Sequence, residues 1–196
     1  MTPQPDKVLE LFAQTGAYLK GHFRLTSGLH SPEYLQCALV LRYPQHAETL
    51  GRTLAESLRG LAGGKRIDLV VSPAMGGVVI GHEVGRALGV PAIFTERVDG
   101  AMTLRRGFTI DPGTSVVVVE DVVTTGLSTR EVILLLRNAG AEVLAAGSII
   151  DRSGGTVDLG VPRAALATLN VDTWAQEQCP LCAQGSPVVK PGSRAV

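Results

Sequence analysis

Short apolar runs that alternate with helix-spaced segments restrict this chain more than any other feature. Residues 67–72 (IDLVVS), 90–96 (VPAIFTE), 115–119 (SVVVV) and 141–151 (AEVLAAGSIID) read as strands. Residues 78–88 (VVIGHEVGRAL), stopped by Gly89, and residues 128–138 read as helices. Strands written as unbroken Val, Ile and Leu suit a sheet covered on both faces. Strand–helix–strand alternation with short connections then predicts an α/β fold with a central parallel sheet flanked by helices.

The flanks are less regular. Residues 6–15 carry helical apolar spacing at Val8, Leu9, Leu11 and Phe12, with Gly16 as terminator. Residues 21–43 suggest short strands around a turn at Thr26, Ser27 and Gly28. A helix is expected over about 46–61, where Leu50, Leu54 and Leu58 share one face. Residues 97–113 form a polar connection, 166–171 one more strand, and the Pro/Gly-rich segment from Cys179 onward a surface tail. At 196 residues the chain fits one domain, with its core over about 46–172. A formal net charge of zero gives no global field for nucleic acid. With no apolar run long enough to span a membrane and no basic leader, the expectation is a soluble cytoplasmic protein.

The chemistry concentrates in residues 115–129, SVVVVEDVVTTGLST. A buried strand runs into Glu120 and Asp121, passes Val122 and Val123, and reaches Thr124, Thr125, Gly126, Leu127 and Ser128. Ser128 with Glu131 three residues on forms a capping-box pattern for the next helix. The carboxyl end of a parallel strand beside a helix N-terminus is where anions such as phosphate bind. The two acids do not suit phosphate. They suit vicinal hydroxyls or a cation. Phosphate plus diol describes a ribose 5-phosphate. No Walker-type GxxxxGK[ST] is present, which argues against a P-loop nucleotidase.

This stretch resembles the phosphoribosyl diphosphate (PRPP) signature of type I phosphoribosyltransferases. Three further stretches resemble the orotate phosphoribosyltransferase branch: GHFRLTSGLHSPEY as its hood, ERVDGAMTLRRGF as its mobile loop, and IIDRSGG as a strand end. The resemblance implies the type I phosphoribosyltransferase fold. Its small N-terminal hood would take about 1–45 together with the C-terminal tail. It also implies transfer of the phosphoribosyl group from PRPP to orotate in pyrimidine biosynthesis, with Mg²⁺ carried by PRPP rather than by protein ligands, in a homodimer. The site residues it implies are Met75, Gly76 and Gly77 for diphosphate, Glu120 and Asp121 for the ribose hydroxyls, and Thr124, Thr125, Gly126, Leu127 and Ser128 for the 5-phosphate, with Val122 and Val123 also in the PRPP-binding stretch. Arg97, Arg105 and Arg106 would close over the diphosphate and act catalytically with Asp121. Arg152, Thr124 and Tyr34 would hold orotate. An arginine fork suits a carboxylate.

The resemblance breaks at several cations. Ala101, Met75, Thr26 and Val98 stand where relatives carry lysine, leaving Arg24, Arg97, Arg105 and Arg106 to supply positive charge. Two other readings stay open: a purine-type transferase, which the hood and DRSGG disfavour, and a non-catalytic PRPP sensor, which the missing lysines favour. Cys179 and Cys182 form a single CxxC, and His22, His30, His46 and His82 lie far from it in sequence, so reduced structural cysteines are expected. His82 is expected to be packed on an apolar helix and Trp174 to be core or interface.

Overall fold

The computed structural model describes residues 5–25 and 28–191. Six strands form the main sheet in the order β5-β4-β3-β6-β7-β8. They are β3 (Leu69–Pro73), β4 (Ala92–Val98), β5 (Ala101–Leu104), β6 (Ser115–Val123), β7 (Glu142–Asp151) and β8 (Arg163–Thr168). The pairs β3–β4, β3–β6, β6–β7 and β7–β8 are parallel, and only the edge pair β4–β5 is antiparallel. The mixed sheet flanked by helices bears out the expected α/β class.

Alternation along β6 explains the two covered faces. Val117 and Val119 enter one core with α1 (Pro5–Gln14), α3 (Pro44–Leu61) and α4 (Gly76–Leu88). Val116 and Val118 enter a second core with α5 (Leu127–Asn138). All four valines are 0 % exposed, so each face of this strand removes its side chains from water. Leu50, Leu54 and Leu58 of α3 lie in the first core, as their spacing predicts.

Several boundaries move. Strand β6 does not stop at Val119. It runs through both acids to Val123, because Val122 and Val123 still pair with Ile150 and Asp151. Strand β8 covers Arg163–Thr168 rather than 166–171. Part of the expected connection after residue 96 is a hairpin. Val98 faces Ala101 across Asp99 and Gly100, whose φ values of 48° and 86° are those of a primed two-residue turn. The Asp-Gly pair was the available signal.

The N-terminal segment forms a two-stranded antiparallel hairpin, β1 (Tyr18–Arg24) with β2 (His30–Leu35), followed by a short α2 (Cys37–Leu41) that the sequence reading missed. Thr26 and Ser27, in the expected turn and at one missing lysine, lie outside the described residues. The tail returns to this hairpin: Arg24 donates to the Val189 carbonyl, Val189 donates to that of His22, and His30 and Trp174 exchange backbone hydrogen bonds. No helix among the described residues is long and apolar enough to cross a membrane.

Candidate active site

The carboxyl ends of β3, β6 and β7 meet beneath the hairpin. Two helix N-termini point there, α4 after Met75 and α5 after Gly126. Their first N–H groups lack intrahelical acceptors, so both ends favour anions. Gly126 adopts φ 72°, and a Cβ there would approach Val157 to 2.6 Å, so glycine is required both by conformation and by space. The capping box does not form. Gly126 is the N-cap, no side chain caps the helix, and Glu131 pairs with Arg97 instead. Arg130 braces the turn by donating to the Thr125 and Asp158 carbonyls at 2.8 and 3.1 Å. The sequence reading did not single it out.

The acids and the glycines of the β3–α4 loop are one packed unit. A Cβ on Gly76 would stand 2.5 Å from both Asp121 carboxylate oxygens, and one on Gly77 would stand 3.3 Å from Glu120 Oε1. Gly76 is hemmed in by the Asp121 carboxylate, and a Cβ on Gly77 would first meet the Val119 carbonyl at 3.0 Å and Ser72 Cβ at 3.1 Å. Glu120 is buried. Burial first, and then the neighbouring Asp121 charge, hold its carboxyl well above the usual carboxylate range. Asp121 is half-buried and accepts from the Val122 N–H at 2.9 Å. Met75 is 82 % exposed on the rim, and the Ala74–Met75 bond is cis.

Two cavities adjoin. One, of about 370 Å³, is lined by Glu120 and residues 122–129. The other, of about 380 Å³, is lined by Leu25, Leu29, Tyr34, Thr124, Thr125, Arg152, Val171 and Thr173. Thr124 and Thr125 belong to both, so a ligand in one abuts a ligand in the other. The second cavity unites Tyr34, Thr124 and Arg152, the three residues expected around the base. Its hydrophobic walls, Leu25, Leu29 and Val171, were not predicted. Leu25 and Leu29 lie inside the quoted hood stretch, but nothing local marks their direction.

Arg152 forms no ion pair with Asp151 or Asp158. Asp151 is taken by Arg163, while among the described residues Arg152 donates only a long 3.5 Å contact to Ser31 Oγ. Its Nε is buried with no hydrogen-bond acceptor among the described residues. Burial lowers its proton affinity, opposed by the charges of Glu33 and Tyr34. A desolvated guanidinium with an unpaired donor at a cleft is suited to an incoming anion.

The hairpin arginines are not brought to these cavities. Arg97 pairs with Glu131, and Arg106 makes a fork to Glu96 at 3.0 and 2.8 Å. Arg105 is exposed, and none of the three lines either cavity. His82 is exposed rather than packed. His22 and His30, distant from the CxxC in sequence, stand beside it in space.

A parallel sheet with a phosphate-type loop after an acidic pair, and a cationic cleft alongside, defines a phosphoribosyltransferase class of site. The phosphoribosyl transferase domain family matches residues 41–160. The orotate phosphoribosyltransferase of Pelotomaculum thermopropionicum is 54% identical, covering 97% of this chain and 98% of the relative. That of Heliobacterium modesticaldum is 55% identical, covering 96% and 98%. The crystal structure of orotate phosphoribosyltransferase from Aeropyrum pernix superimposes with a TM-score of 0.66 at 28% identity, covering 83% of this chain and 93% of that one. The chain belongs to the phosphoribosyltransferase family and, within it, to the orotate phosphoribosyltransferases.

Proposed function

We propose that the protein transfers the 5-phosphoribosyl group of PRPP to orotate, forming orotidine 5′-monophosphate and diphosphate in pyrimidine biosynthesis. The observation that carries this reading is Arg152, whose buried Nε has no acceptor among the described residues, in a cleft continuous with the Thr124–Ser128 loop. Orotate is a planar anion, and its carboxylate supplies the acceptors the guanidinium lacks. Tyr34 covers the ring and Thr124 donates to it.

The 5-phosphate accepts from the N–H groups and hydroxyls of residues 124–128. Glu120 and Asp121 hold the ribose hydroxyls, and Asp121 faces the positive charge that develops at the anomeric carbon. Diphosphate meets the N-terminus of α4 at Met75, Gly76 and Gly77. Mg²⁺ carried by PRPP would supply neutralisation of the leaving charge, and the half-buried Asp121 is the hard oxygen donor that would face it. No protein nucleophile is required, since positioning and charge stabilisation carry such a displacement.

Closure of the β4–β5 hairpin excludes water and brings Arg105 to the diphosphate. Arg97 and Arg106 exchange their carboxylate partners for it, which is easy because exposed ion pairs contribute little. In a cytoplasmic homodimer the hairpin serves a neighbouring site. The test is product formation from PRPP and Mg²⁺ with orotate, beside uracil, adenine and hypoxanthine. Orotate should be consumed and the purines should not. Faster turnover of adenine or hypoxanthine would overturn the substrate, and no turnover of any base would favour a PRPP sensor.

A further inference from the structure

The C-terminal tail poses a physical problem that the transferase reading does not solve. From Ala175 to Lys190 the only buried residue is Cys179, and Val188 and Val189 are 49 % and 54 % exposed. Its helix α6 (Pro180–Ala183) is a single turn. A one-turn helix that buries none of its residues does not hold itself in place. Segments of this kind are commonly fixed by a disulfide or a metal.

Four side chains from two distant parts of the chain converge here. His22 of β1, His30 of β2, Cys179 and Cys182 bring one ligand atom each to within 4.8 Å of one another. Cys179 Sγ lies 3.5 Å from His22 Nε2, and Cys182 Sγ lies 3.7 Å from His22 Nε2 and 3.2 Å from His30 Nδ1. A tetrahedral zinc with Zn–S of about 2.3 Å and Zn–N of about 2.0–2.1 Å sets N···S edges of about 3.5 Å. An ion would widen two edges, the His22 Nε2 to His30 Nδ1 separation of 2.8 Å to about 3.3 Å and the Cys182 Sγ to His30 Nδ1 separation of 3.2 Å to about 3.5 Å. His22 Nδ1 lies 2.8 Å from the Ser186 carbonyl, which can only accept. That fixes the proton on Nδ1 and turns the Nε2 lone pair toward the cluster, the outer hydrogen bond expected of a metal-bound imidazole. His22, His30 and Cys179 are 3 %, 2 % and 3 % exposed, so water cannot fill the space cheaply.

We propose that His22, His30, Cys179 and Cys182 bind one structural Zn²⁺ that staples the tail to the β1–β2 hairpin. Two thiolates and two imidazoles in tetrahedral array select zinc over hard cations. Binding displaces both thiol protons to solvent. The set is closed, with no position for substrate, so the ion's work is structural. Its neighbours reach the cleft: His30 sits between Leu29, a wall residue, and Ser31, the Arg152 contact. Trp174, bonded to His30, follows Thr173, which also lines the cleft.

The test uses untagged full-length protein purified under reductant, with metal measured by mass spectrometry. About one zinc per chain is expected. Cys182→Ser and His22→Ala should fall below about a tenth of that, while His82→Ala, at an exposed histidine, keeps it. Should the variants fail to fold, the wild type answers: chelation should lower Tm by about 5–10 °C, and zinc should restore it. Co²⁺ in place of zinc should give the visible thiolate and d–d bands of a tetrahedral site. Absence of zinc uptake by the reduced protein, full zinc in Cys182→Ser, or a Cys179–Cys182 disulfide in the protein as isolated overturns the proposal. These readouts do not depend on catalysis, so they stand or fall apart from the orotate assay.

Discussion

The arginine on the cleft floor and those on the β4–β5 hairpin are in opposite electrostatic states. Arg152 is half-buried, and among the described residues it has no carboxylate partner and one buried, orphaned N–H. Arg97 and Arg106 are exposed, and each already holds a glutamate. A desolvated, unpaired cation is a preformed receptor, because its anion repairs a cost already incurred in folding. A solvated, paired cation is a parked one, because its partner can be exchanged with little change in free energy. The difference separates a fixed specificity element from a mobile catalytic one.

The sharpest way to break that comparison is Arg152→Ala. Orotate affinity should fall by roughly 2–5 kcal/mol, while PRPP affinity changes little. Calorimetry with each ligand checks it. Equal losses for both ligands would mean that Arg152 braces the fold rather than reads the base.

Next in size are the hairpin cations. If Arg105 or Arg106 reaches the diphosphate on closure, Arg105→Ala or Arg106→Ala should lower kcat by about 10²–10³, with little change in ligand-free Tm. Steady-state kinetics beside a melt decide it. If kcat is unmoved, the hairpin carries no part of the charge stabilisation.

The acidic pair offers a pH test. Glu120's raised carboxyl value means the folded state keeps its proton more strongly than the unfolded chain. The stability this contributes is fully present below the ordinary glutamate value of about 4.3, and is lost as pH rises through the elevated folded value. Ligand-free Tm should therefore decline with rising pH above that range, and Glu120→Gln should flatten the slope by about 2–4 °C. A parallel pair of Tm profiles would show that Glu120 ionises normally.

The smallest effect belongs to the parking contact itself. Glu131→Gln releases Arg97 without touching either substrate. Tm should scarcely move, and kcat/KM should rise or stay level rather than fall. A marked loss of activity would make the Arg97–Glu131 pair part of the working site. Ala101→Lys probes the same face, by restoring a hairpin cation where relatives carry lysine. An increase in kcat is expected, and an unchanged value alongside a damaging Arg105→Ala would mean arginine has taken the role.

Local chemistry made much of this molecule legible. The valine runs, the Gly89 stop with φ 74°, and the EDVVTTGLS stretch all declare themselves within a dozen residues, because strand burial, glycine caps and helix N-termini are short-range physics. The Asp-Gly hairpin is equally local, although the polarity of residues 97–113 suggests an irregular connection. Other features depended on contacts no spacing records. The resemblance assigns Gly76 and Gly77 to diphosphate, but only the fold shows the Asp121 carboxylate filling the space beside Gly76 and the Val119 carbonyl and Ser72 crowding Gly77. Glu131 fits a capping box by spacing, yet an arginine from another strand claims it. Arg152 has an acid as its neighbour in sequence, but Arg163 takes Asp151 and leaves it unpaired. Cys179 meets His22 across 157 residues. Sequence determined the sheet, the phosphate loop and the types of residue available. Tertiary structure alone decided which charges are paired, which are left without a partner in the cleft, and which two histidines and two cysteines converge, because those outcomes follow from long-range packing and burial rather than from neighbours along the chain.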